Sequence, residues 1–157
     1  VAVGAFALFA STRLTATGGS TESARILIWR SSIHMVKDHP IFGVGLDQFL
    51  YQYGRRYVSP DGWAERYTSH PHNFVLDVWL SLGLAGLVAF ALLIVAVARR
   101  AWHAIRNSDV RSGFAIVAVA ALAGGLAHGM VDNSFFLPDL ATLTWILIAF
   151  LGVRESI

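Results

Sequence analysis

Two histidines stand at the edge of a long apolar run. The stretch Ser69-His70-Pro71-His72-Asn73 is polar, and almost everything from Phe74 to Ala98 is apolar. Imidazole at such a boundary can act as a base, a proton relay or a metal ligand. His72 falls where an apolar helix would begin. Helix N-termini expose free N–H groups and favour anions over cations, and a neutral imidazole is the form that a general base requires. The plainer alternative is that His72 and Asn73 merely cap the helix. His70 and His72 could also form a metal pair, with His39 or Asp77 completing it. Two histidines separated by one residue, without a third ligand at a defined interval, are a weak metal signature, and no metal is assigned. His128 and Asp132 lie four residues apart and so share one helix face. Ionisable groups within an apolar span are candidates for function, with a structural hydrogen-bonded pair as the alternative. Arg25 and Arg30 flank Trp29 in a helical pattern. Their guanidinium forks match phosphate and carboxylate, although snorkelling to lipid headgroups would also explain them. Gly43-Val44-Gly45 lacks the strand-to-helix setting of a nucleotide loop and reads as a tight turn.

The elements that must hold these residues follow from hydropathy. Val1 to Ala10 is apolar but too short to span a bilayer, and with no initiating Met it reads as the end of a truncated transmembrane helix. It lacks the basic region and cleavage site of a signal peptide. The chain is therefore expected to be the C-terminal fragment of a larger protein. Residues 11–73 form a polar external loop. Within it, 21–38 is an amphipathic helix with Ile26, Trp29, Ile33 and Val36 in one stripe and Arg25, Arg30, Ser32 and Lys37 off it. Ser20 or Thr21 would cap this helix, Glu22 suits its first turn, and Pro40 ends it. Too polar to span, it is expected to lie along a membrane surface. A further short helix is expected around Phe49, Tyr51, Tyr53 and Tyr57, whose rings suit a membrane interface. A loop with a Pro60-Asp61-Gly62 turn follows. Residues 74–98, 113–131 and 140–153 read as transmembrane helices. Residues 99–112, 132–139 and 154–157 connect or follow them.

The arginines at 99, 100, 106 and 111 place the 99–112 loop in the cytoplasm, with the 154–157 tail beside it. That puts 11–73 and 132–139 on the periplasmic side. The fold class is thus all-α: a polytopic transmembrane helical bundle with an extracytoplasmic loop containing amphipathic helices. Composition agrees. Of the 157 residues, 55% are hydrophobic and only 14% charged, against about 25% charged in an ordinary soluble domain. The mean hydropathy is +0.58. The absence of cysteine excludes disulfides, thiolate metal sites and cysteine nucleophiles. A net charge of +2 gives no reason to expect nucleic acid as a partner. Lys37 is the single lysine, so arginine carries nearly all the positive charge.

Together these pieces resemble the O-antigen ligase and O-antigen polymerase family, which includes related protein O-oligosaccharyltransferases. The resemblance rests on His72-Asn73, nine residues, Gly83, two residues and Gly86, preceded by an Arg, a Trp and the run Asp38-His-Pro-Ile-Phe-Gly-Val-Gly45. It covers roughly residues 20–100. It implies a multi-span glycosyltransferase of the GT-C type, taking a glycan from an undecaprenyl-diphosphate carrier to an acceptor hydroxyl on a lipid or polysaccharide, in the bacterial cytoplasmic membrane. It implies no cofactor and no metal. His72 would activate the acceptor hydroxyl. Arg25, with Arg30 beside it, would hold the diphosphate. Asn73, Gly83, Gly86, His70, His128 and Asp132 would support the site. Membrane lipids are the remaining partner, and the fragment alone is expected to be inactive. The competing class is a polysaccharide or lipid transporter or flippase subunit. It is disfavoured because the polar chemistry sits in the external segment and the spans lack the proline interruptions of broken transport helices.

Overall fold

The computed structural model describes residues 23–106, 110–132 and 137–152, and every regular element among them is helical. The expected helix end at 1–10, the capping residues Ser20, Thr21 and Glu22, and the tail at 154–157 lie outside the described residues.

Helix α1 covers residues 23–38. It stops before Pro40, whose ring disfavours helical geometry at the preceding residue. Its buried face is Ile28, Ser31, Ser32, Met35 and Val36, whereas Ile26 and Ile33 are 43% and 45% exposed. The apolar stripe is therefore divided: Val36 packs inward, and Ile26 and Ile33 point away. Ser32 is buried because its hydroxyl donates to Ile28 O at 2.8 Å. That bond satisfies the only polar group of a small side chain, so the neighbouring elements can approach closely.

Ile28, Met35 and Val36 pack with Phe49, Tyr53 and Leu80 into one core. Helix α2, Phe49–Gln52, passes into a single π-helical turn, Tyr53–Tyr57. The Phe49 and Tyr53 rings stack at 5.2 Å, and both are buried, so these two aromatics serve the core. Tyr51 stays exposed. The Tyr57 hydroxyl donates to Asp38 Oδ2 at 2.8 Å and ties the π turn to the end of α1. A 3₁₀ helix at Pro60–Glu65 follows, with Ser59 Oγ accepting from Gly62 N.

Helix α3, Phe74–Arg106, is broken at Gly83, where φ is 68° and ψ is −167°. The break is sharp. The rings of Phe74 and Phe90 lie 5.5 Å apart between centroids. In an unbroken helix of about 1.5 Å rise per residue, positions so spaced would stand roughly 24 Å apart. The first arm, 74–82, thus folds back along the second, 84–106. A break in a helix strands carbonyls on one side and N–H groups on the other. The 41–45 turn satisfies both sides. Leu80 O accepts from Val44 N at 2.6 Å and Gly45 N at 3.3 Å, and Leu84 N donates to Ile41 O at 3.0 Å. Trp79 Nε1 donates to Pro40 O at 2.9 Å and fastens the same turn.

The three glycines at this joint have separate reasons. A Cβ on Gly83 would collide with the Ile41 carbonyl, and one on Gly43 with the Leu80 carbonyl. One on Gly86 would collide with the Leu82 side chain on the facing arm. The Gly43–Gly45 segment is the tight turn expected from its composition, with positive φ at both glycines.

Helix α3 packs with α4, Val110–Gly129, and Ala101, Ala115 and Ala118 on these helices are buried. Helix α5, Pro138–Gly152, packs on both. The outer face carries exposed Leu92, Val117 and Ile146, an apolar surface suited to lipid rather than water. The architecture is all-α, as the composition required. Residues 74–98 are not one straight helix, and the helix continues through Arg99, Arg100 and Arg106, so the arginine-rich stretch is largely helical. The second arm alone is about 35 Å long, enough for a hydrocarbon core of about 30 Å. Helix α3 is long and apolar enough to cross a membrane, whereas Gly113–Gly129 and Pro138–Ala149 are shorter apolar helices.

The φ and ψ of Gly83 lie in a region that is essentially restricted to glycine, and other residues there cost on the order of 1–3 kcal/mol before any collision. Gly83→Ala should therefore lower the unfolding midpoint of the full-length protein in detergent by several degrees. An unchanged midpoint in a thermal melt would show that the break is not a fixed feature.

Candidate active site

The fold-back delivers the start of α3 to the end of α4. Asn73 caps α3: its side-chain oxygen accepts from Val75 N and Leu76 N, each at 3.1 Å. Its amide nitrogen donates to Met130 O at 2.8 Å. One side chain thus starts a helix and fixes it to a segment 57 positions away. Phe74 supports the same junction, since a Cβ on Gly129 would come within 3.0 Å of its ring.

His72 precedes this cap with φ of 51°. Left-handed geometry is uncommon outside glycine, though His, Asn and Asp are enriched there. The conformation is over-determined by its neighbours: Pro71 on one side is fully buried, and Asn73 on the other is locked by three hydrogen bonds. Strain of this kind persists where the surroundings hold it and concentrates at functional sites. It aims the imidazole at α4. His72 Nδ1 lies 3.1 Å from Asp132 Oδ1. The His72 side chain is 27% exposed and that of Asp132 39%, so the pair is sheltered yet reachable.

The other expected residues sort around this pair. The His70 ring meets His72 edge-on at 4.4 Å, and its Nδ1 is 2.8 Å from Ser69 Oγ. Burial, reinforced by the nearby His72, pushes the His70 pKa below the usual histidine value, against an opposing pull from Asp132. His128 Nε2 is 3.9 Å from Asp132 Oδ2, and the Asp132 N–H donates to His128 O at 3.1 Å. The expected i, i+4 pair therefore exists, but the closer partner of Asp132 is His72. His39 and Asp77 do not join the cluster: among the described residues, His70, His72 and Asp132 are the group whose ligand atoms converge.

Arg25 and Arg30 lie on α1, the first half-buried and the second exposed. Gly83 and Gly86 act at a distance, by forming the joint that returns His72 to α4. The pairing of His72 with Asp132 was the part hidden from sequence reading, because the two are 60 positions apart. The available signal was topological: both stand at the ends of apolar segments assigned to the same side of the membrane.

The chain belongs to the O-antigen ligase family, whose profile matches residues 1–91. The match contains His72, Asn73, Gly83 and Gly86 and stops short of Asp132. An O-antigen ligase of Salmonella typhimurium is 31% identical over 67 residues, covering 41% of this chain and 17% of the relative. The chain therefore spans under a fifth of the length of that relative. No solved structure matches this chain.

Losing an N-cap costs about 0.5–2 kcal/mol. Asn73→Ala also loses the Met130 tie and should lower the unfolding midpoint more than Asn73→Asp, which keeps the capping oxygen but cannot donate to Met130. Equal midpoints for the two variants in thermal melts would show that the cap carries no weight, and a wild-type midpoint for Asn73→Asp would show that the tie carries none.

Proposed function

We propose that the full-length protein is a membrane glycosyltransferase of the ligase or polymerase kind, and that His72 is its general base. It would move a glycan from undecaprenyl diphosphate to an acceptor hydroxyl on a lipid or polysaccharide. The observation that carries this reading is the contact of His72 Nδ1 with Asp132 Oδ1 at 3.1 Å. A carboxylate on Nδ1 holds the proton there and leaves Nε2 with its lone pair. The second nitrogen is then free to take a proton from a hydroxyl as that oxygen attacks the anomeric carbon. The bond to the diphosphate breaks, and negative charge builds on the leaving oxygens. Arginine forks stabilise such charge without titrating away. In this reading Arg25 and Arg30 meet the diphosphate, on a helix whose exposed Ile26 and Ile33 rest in the interface. Asp132 is a positioning residue, acting through His72.

The same reading sets the topology. His72 and Asp132 share one end of the bundle. Arg99, Arg100 and Arg106 occupy the far end of α3 and favour the cytoplasmic side. The site would then face the extracytoplasmic surface of the bacterial inner membrane, where a lipid tail stays in the bilayer and a diphosphate reaches the start of α3.

General base catalysis contributes about 10²–10⁴-fold. In cells lacking the gene, complementation with full-length His72→Ala should leave transfer at least 10²-fold below wild type. Lipid-linked glycan should accumulate on the outer leaflet. Wild-type transfer by this variant would contradict the base assignment, and accumulation on the inner leaflet would indicate a flippase.

A further inference from the structure

The residues that orient the base also form a site of a different kind. His70, His72 and Asp132 each present a ligand atom within 4.8 Å of the others. Two imidazole nitrogens and one carboxylate are a donor set for zinc and its neighbours rather than for magnesium or calcium, which take oxygen ligands. Tetrahedral zinc with bonds of about 2.0–2.1 Å separates its ligands by roughly 3.3 Å, so small side-chain rotations close the cluster. The backbone is already set for it. Pro71, between the two histidines, is fully buried, and Asn73 pins the segment to α4 through Met130. The neighbouring contacts resemble those of known metal centres, in which the non-ligating imidazole nitrogen is held by a polar partner. Ser69 Oγ engages His70 Nδ1 at 2.8 Å and leaves its Nε2 for a metal. His128 Nε2, 3.9 Å from Asp132 Oδ2, can hold the outer oxygen of the carboxylate. Three protein ligands leave a fourth position open to water or an acceptor hydroxyl.

We propose that His70, His72 and Asp132 form a zinc site whose occupancy silences transfer. The silencing rests on the reading of His72 as the base. An imidazole that gives one nitrogen to a metal keeps its proton on the other, so no lone pair remains for the acceptor hydroxyl, whichever nitrogen binds. Asp132 is drawn from the imidazole to the ion at the same time. His70 has a part here that the transfer reaction does not assign to it: it supplies the third ligand.

The test uses the full-length protein, stripped with chelator and purified in detergent. Calorimetric titration with zinc chloride should show one saturable equivalent, and magnesium chloride none. His70→Ala and His70→Gln should each weaken zinc binding at least tenfold, and a thermal melt of each variant confirms that it is folded. In a transfer assay, zinc should inhibit the wild type over the same concentration range. EDTA should reverse the inhibition, and His70→Gln should raise the inhibitory concentration at least tenfold. The proposal is overturned by absence of saturable zinc binding, by binding that is unchanged in folded His70 variants, or by binding without inhibition. Failure of the base reading shows itself separately, as full metal-free transfer by His72→Ala.

Discussion

The joint at Gly83 is the constraint on which the rest of the structure depends. A straight helix from Phe74 would carry His72 away from α4. The reversal brings it back. The reversal in turn needs a residue without a side chain, because the Ile41 carbonyl occupies the space of a Cβ. It also needs partners for the backbone groups that the break exposes, and the 41–45 turn supplies them from both directions. The loop after α1 and the glycine within α3 are therefore two halves of one device, though nearly 40 positions separate them in sequence.

That device explains why the motif spacing is what it is. Nine residues between Asn73 and Gly83 give the first arm its length, about two and a half turns. With that length Phe74 reaches Phe90 and Gly129, and Asn73 reaches Met130. Gly86 lets the arms close by leaving room for Leu82. A longer or shorter arm would rotate or displace His72 relative to Asp132. The placement of His72 and the packing at Gly83 and Gly86 are in this sense one requirement, expressed at three positions.

Much of this was legible in the sequence, and the illegible parts have physical causes. Hydropathy revealed an all-α architecture with apolar helices, because long apolar runs with few charges leave few alternatives. The polar threshold before Phe74 marked His72 and Asn73, since a helix start needs a cap whatever else it does. The direction of the break was not legible. A glycine inside an apolar run reads as tolerated rather than as a fold-back, and only the Ile41 contact distinguishes the two. The core-facing side of α1 was not legible for a related reason: Ser32 counts as polar in a pattern, but a hydroxyl that bonds its own helix is buried readily. Asp132 was marked for its neighbour His128, four positions away, because local spacing is visible in a sequence and a contact across 60 positions is not.

In the proposed reaction His72 and Asp132 act as a unit, the carboxylate working only through the imidazole. A double-mutant cycle on the rate of glycan transfer tests it most directly, comparing His72→Ala, Asp132→Asn and the double variant of the full-length protein. The expected result is strong non-additivity: Asp132→Asn slows the wild type about 10–100-fold and has little further effect once His72 is gone. Independent, multiplying losses would contradict the account and place the role of Asp132 elsewhere.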